Sequence, residues 1–121
     1  MSNDLNILDL EDALNRALGD AAFLKMMFDE FQQMIPEIMA LMVKAIEAGD
    51  LISLGQSAHQ LKGAAANLGA TAVSAAALVL ERIGKSGNAN GAQAAFERLN
   101  AAQGALFQHI DRIDWSLLDE K

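Results

Sequence analysis

The sequence predicts an all-α protein, an antiparallel up-down-up-down four-helix bundle with a short additional N-terminal helix. Three observations point there. Apolar residues recur every three or four positions through four long stretches, which is the period of a helix with one buried face. Ala, Leu, Met, Glu and Gln are abundant and the chain has a single Pro, a composition that favours helices. Glycines and capping residues punctuate the stretches at short intervals, and short connections make consecutive helices antiparallel.

The elements follow in order. Asp9 to Leu18 carries Leu10, Ala13, Leu14, Ala17 and Leu18 on one stripe, and Gly19 is placed to stop it. Asp20 is an N-cap candidate for the longest helix, Ala21 to Ala48, in which Leu24, Met27, Phe28, Phe31, Ile35, Ile38, Met42 and Ile46 keep helical spacing. Pro36 lies inside that run and removes a backbone donor, so a kink or break is expected near residues 32 to 36; the unbroken apolar phase favours a kink. Gly49-Asp50 marks the next boundary. The third long pattern, Leu51 to Leu68, buries Leu51, Leu54, Ala58, Leu61, Ala65 and Leu68, and the fourth, Thr71 to about Lys85, buries Val73, Ala76, Ala77, Leu80 and Ile83 or their neighbours. After Ser86-Gly87-Asn88, a last helix from Ala89 or Asn90 to about Ile113 buries Ala92, Ala95, Phe96, Leu99, Ala102, Leu106 and Ile110. Trp115, Leu117 and Leu118 are expected to cover one end, and residues 119 to 121 to fray.

With 121 residues the chain has room for one hydrophobic core, so residues 1 to 121 read as one domain with its core at about 9 to 113. The net charge of −7 provides no basic stripe for nucleic acid or an acidic membrane surface. No Cys is present, which excludes disulfide and thiolate chemistry. Met1 to Leu10 lacks a basic segment followed by an apolar core, and no run approaches a membrane span. A soluble, cytoplasmic monomer is expected.

One run carries chemistry. His59 falls one position outside the buried face set by Ala58, Leu61 and Ala65, so its ring is expected to reach solvent or a groove. Gly55, Gln56, Lys62, Gly63 and Ala66 lie on the same outer stripe. Gly inside a helix costs about 1 kcal/mol relative to Ala, so two of them around one exposed His need a reason. Close helix packing is one, weak if the stripe faces outward; the better one is access of another protein's active site to the imidazole. Lys62 adds a positive charge that disfavours a second one on the ring and can offset an attached phosphoryl group. If the third and fourth patterns form a hairpin turning at Gly69-Ala70, residues whose numbers sum to roughly 140 lie level, which brings Glu81 to His59. Its carboxylate would fix the ring tautomer and leave the other nitrogen free to attack. Alternatively, Glu81 pairs with Lys85 or Arg82 on its own surface.

The run Ala58-His59-Gln60-Leu61-Lys62-Gly63, continuing to Leu68-Gly69-Ala70, resembles the signature of histidine-containing phosphotransfer domains. In that family the phospho-accepting His opens a His-x-Leu-Lys-Gly run, and a Gly follows ten residues after it. The segment through Phe31, Pro36 and Asp50 and the Leu80-Glu81 pair extend the resemblance over most of the chain. The resemblance implies that His59 accepts a phosphoryl group from an aspartyl phosphate on a receiver domain and donates it to an Asp of another. It makes Lys62 the charge-compensating Lys, Gly63 the clearance Gly, and Glu81 a carboxylate that in some members hydrogen-bonds the active His. Gly55 and Gln56 match no invariant feature of the signature, so their roles rest on the helical stripe.

No Gly-rich nucleotide loop or kinase ATP-binding segment occurs, so the chain is expected to act as a phosphocarrier and not as an ATP-dependent kinase. No cofactor or metal is expected, because receiver domains bring their own acidic Mg²⁺ site and His109 lacks a ligand pair at helical spacing. Phe23, Met26, Met34, Met39 and Leu41 exceed what one buried stripe uses. Some are expected to form an apolar rim beside His59, with Gly55, Ala66 and Met34 in the docking surface for receivers of response regulators or hybrid kinases. The competing reading is a helical adaptor or scaffold in which His59 has no chemical role.

Overall fold

The computed structural model describes residues 4–118, and all its regular elements are helices. They are α1 (Asp4–Ile7), α2 (Leu10–Arg16), α3 (Ala21–Ala48), α4 (Leu51–Asn67), α5 (Thr71–Ser86), α6 (Ala92–Asp111) and α7 (Trp115–Leu118). The final residues, expected to fray, lie outside the described span.

Three aspartates set the helix starts. Asp9, Asp20 and Asp50 each accept a hydrogen bond from the backbone N–H three residues on, at Asp12, Phe23 and Ser53. Each satisfies a donor that has no intrahelical partner. At Asp50 the Ser53 backbone N–H and the Ser53 hydroxyl hold the carboxyl below its ordinary value. α3 runs unbroken across Pro36, so the alternative of two separate helices is excluded.

The long helices pack in sequence, α3 on α4, α4 on α5 and α5 on α6, with α3 also touching α6. Each apolar stripe thereby faces the same core, whose fully buried members include Leu24, Phe28, Met42, Leu54, Leu61, Leu80, Leu99 and Leu106. The Phe31 and Phe107 rings meet at a 40° tilt with centroids 6.2 Å apart, and Trp115 closes one end against Phe28 at 6.1 Å. Between α4 and α5 the antiparallel register is direct: Gly55 meets Gly84, and His59 meets Glu81.

Several expectations need correction. The segment ahead of α3 holds two short helices and not one, because Asp9 leaves helical conformation to cap α2 while its own N–H bonds Gly69 O at 2.8 Å. α6 begins at Ala92, two or three residues later than predicted, since Asn88 Oδ1 accepts from Asn90 N–H and holds that stretch as a turn. α6 also ends earlier, at Asp111. Met39 is buried in the core and leaves the proposed apolar rim, and Met34 is half-buried against that core. Leu117 is exposed and covers nothing. Leu51, Ala76, Ile83, Phe96 and Ala102 are half-buried rather than buried, whereas Phe107, absent from the predicted stripe, is buried.

Candidate functional site

The site is built across the α4–α5 hairpin. Leu54, Ala58, Leu61 and Ala65 turn one face of α4 into the core, while Val73, Ala77 and Leu80 do the same for α5. His59 follows Ala58 and therefore projects outward, with its side chain 69% exposed. Glu81 follows Leu80 and stays beneath the surface, with its side chain only 5% exposed.

That burial is tolerable because three cationic or donor groups converge on the carboxylate. His59 Nδ1 lies 2.9 Å from Oε2, Lys62 Nζ lies 2.6 Å from Oε1, and Lys85 Nζ lies 3.2 Å from Oε2. The Lys62 ammonium is the charged partner of Oε1, while His59 and Lys85 share Oε2. The Lys62 contact foremost, then the His59 hydrogen bond, lowers the Glu81 carboxyl from 4.5 to about 2, against the opposing effect of burial. Glu81 is thus ionised at neutral pH. A carboxylate can only accept, so His59 Nδ1 carries a proton, and in the neutral ring Nε2 is left with the lone pair.

The two pairings that the sequence left open for Glu81 coexist in part, since it contacts both His59 and Lys85. Lys62 is 30% exposed and Lys85 75% exposed, so both ammonium groups are held by Glu81 yet reach solvent beside the ring. Gly63 is exposed, and a Cβ there would meet nothing within 4 Å; its lack of a side chain leaves open space next to His59. Ala66, one turn further, is also exposed.

Gly55 has a different use from the one favoured on sequence grounds. The stripe carrying it does not simply face outward: a Cβ on Gly84 would sit 2.6 Å from Gly55 Cα and 2.8 Å from Leu51 O. Close packing of α4 on α5 therefore accounts for this pair. The same contact opens a groove of about 590 Å³ that runs along the hairpin and is lined by Leu51, Ile52, Gly55, Gln56, Gly84 and Lys85 beside His59 and Glu81. Gln56 is exposed at its rim. Met34 lines no part of it.

Gly84 and Lys85 were not singled out from the sequence. The hairpin rule that pairs His59 with Glu81 also sets Gly84 against Gly55 and Gln56, so Gly84 was within reach of the same reasoning. Lys85, four residues after Glu81 on the same helix face, was considered only as a competitor of His59. His109 is half-buried on α6 and lines no part of the groove beside His59. Among the described residues no group of three or more His, Cys, Asp or Glu side chains is placed to hold a metal ion, and no helix is long and apolar enough to cross a membrane.

The family model for the Hpt domain matches residues 26–113, a span that contains α4, α5 and the whole hairpin site. The chain belongs to the Hpt domain family, whose members are helical phosphocarriers of phosphorelays that transfer phosphoryl groups on histidine and interact with receiver domains. No curated protein and no solved structure matches the chain.

Proposed function

We propose that His59 is the phosphoryl carrier, accepting the group at Nε2 from an aspartyl phosphate of one receiver domain and passing it to an aspartate of another. The observation that carries this reading is the pairing of Nδ1 with the buried, ionised Glu81 while the rest of the ring is open to solvent. The Nε2 lone pair attacks phosphorus, the acyl oxygen of the donor aspartate leaves as a carboxylate, and the ring proton stays on Nδ1. No general base is needed to prepare the nucleophile.

Catalysis of such a transfer rests on positioning and on offsetting charge at the phosphoryl oxygens. Glu81 fixes ring and tautomer. Lys62, one turn from His59, supplies positive charge, and Gly63 and Ala66 leave room for the catalytic face of a receiver. Gln56, at the rim of the groove, is assigned a polar contact to the incoming group, and Gly55 a place in the docking surface through the groove it opens. We assign Met34 no docking role, because it packs against the core. The chain acts as a monomeric cytoplasmic carrier without kinase activity of its own, its partners supplying both phosphate and Mg²⁺.

The test is transfer of labelled phosphate from a phosphorylated receiver to wild type and to His59→Gln. Acid-labile, alkali-stable label on wild type alone is the expected result. Label on the variant contradicts the assignment, and partner function intact in a variant that takes up no label favours the adaptor reading.

A further inference from the structure

In the unphosphorylated site the Nδ1 proton fixes a tautomer; after transfer the same contact acquires a second consequence. Once Nε2 carries phosphorus, the ring either keeps the Nδ1 proton and is an imidazolium, or loses it and presents a lone pair at Nδ1. In the second case that lone pair would face Glu81 Oε2 across the 2.9 Å that now separates them. Two acceptors at this distance repel, and the carboxylate is not free to turn away: it is buried and gripped by Lys62 at 2.6 Å and Lys85 at 3.2 Å.

We infer that Glu81 retains the proton on Nδ1 of phosphorylated His59, so that the site stores its phosphoryl group as an N-phosphoimidazolium and releases it readily. This rests on the phosphocarrier reading above. Charge balance supports it. A phosphoryl group brings close to two negative charges; with Glu81 it makes about three, and Lys62, Lys85 and a protonated ring make three positive ones. A deprotonated ring would leave the cluster short of one cation. The adjoining cleft is lined by one cation from α3, Lys44, and one anion, the α4 N-cap Asp50, together with Gln56 and Ser57 and not with His59, so its formal charges cancel; Arg82, beside Glu81 in sequence, is exposed.

The consequence is chemical. When the phosphoryl group departs from an imidazolium, the Nε2–P bond breaks, its electron pair returns to Nε2, and a neutral imidazole with its proton on Nδ1 leaves. From a deprotonated ring the leaving group is an imidazolate, a much poorer one. Glu81 is in this sense a positioning residue that holds the stored phosphoryl group in its reactive form across neutral pH.

Phosphoramidate, which transfers its phosphoryl group to histidine with loss of ammonia, loads the protein without a cognate receiver. After the donor is removed, phosphate loss is followed from about pH 6 to about pH 8, on either side of the ordinary imidazole range. Wild type is expected to lose phosphate at a nearly constant rate, whereas Glu81→Gln, which removes the negative charge, slows about tenfold between the two. Identical pH profiles overturn the inference while leaving His59 as carrier. Failure of both proteins to take up phosphate overturns the carrier reading and this inference with it. Circular dichroism checks that the variant is folded; if it is not, the ¹⁵N spectrum of phosphorylated wild type at about pH 8 decides, with a protonated Nδ1 supporting the inference and a bare Nδ1 overturning it.

Discussion

The transfer proposed at His59 depends on which ring nitrogen holds the proton, and the partner of Nδ1 is a residue twenty-two positions away. The contact with Glu81 was legible in the sequence because a hairpin turning at Gly69-Ala70 constrains which residues lie level. The convergence of Lys62 and Lys85 on one carboxylate was not legible, because helical spacing places side chains on a face but does not say where their flexible ends settle. Lys62→Ala is expected to slow phosphoryl uptake from a receiver about tenfold, equivalent to about 1.4 kcal/mol of transition-state stabilisation, with little change in helix content; initial rates of label transfer measure it. Glu81 also makes stability depend on pH. Its carboxyl is lowered from 4.5 to about 2 in the folded protein, so its ion pairs contribute fully above about pH 4.5. As pH falls towards 2 the unfolded chain binds a proton that the folded protein does not, and the contribution is lost. Urea midpoints of wild type and Glu81→Gln should therefore differ near neutral pH and converge between about pH 4.5 and about pH 2.

At the scale of elements, the site depends on how closely α5 lies on α4. Gly84→Ala would place a Cβ against the backbone of Gly55 and Leu51, which no rotamer change relieves, and is expected to destabilise by about 1–3 kcal/mol. Gly55→Ala meets Gly84 Cα at an ordinary 3.5 Å and gains up to about 1 kcal/mol of helix propensity. A thermal melt should separate the two, with the midpoint lowered for Gly84→Ala and unchanged or raised for Gly55→Ala. Gly69 joins α4 to α5 with φ +67°, and a Cβ there would lie 2.6 Å from Asp9 O. Gly69→Ala should thus strain the turn and loosen the α2 segment from it, lowering the melting midpoint as well. The boundaries of α3, α4 and α5 could be read to within a residue or two because the Asp caps of α3 and α4 and the glycines that follow α3, α4 and α5 coincide with the ends of apolar stripes. The start of α6 could not: Ala89 and Asn90 suit a helix start, but the hydrogen bond from Asn90 N–H to Asn88 Oδ1 prefers a turn. The inward turn of Met39 was likewise hidden, since an unbranched Met suits core and surface alike.

For the whole molecule, an acidic protein of net charge −7 brings two lysines onto the carboxylate that pairs with the exposed imidazole of His59. The bundle supplies a hairpin on which the His59 ring and the Lys62 and Lys85 ammonium groups are held within hydrogen-bonding or ion-pair distance of the Glu81 carboxylate, and the helical class and the site were both foreshadowed by the same periodicity. Apolar spacing fixed which faces turn inward, and the residues left outside, His59, Lys62 and Gly63, are those assigned to transfer. The central claim is that phosphate resides on Nε2 of His59 while Nδ1 remains bonded to Glu81. The most direct measurement is ³¹P–¹⁵N correlation spectroscopy of protein labelled with ¹⁵N in its histidine rings and phosphorylated through a receiver domain. A single phosphorus resonance coupled to His59 Nε2 is predicted, and phosphorus coupled to Nδ1, to His109 or to no histidine nitrogen would contradict the account.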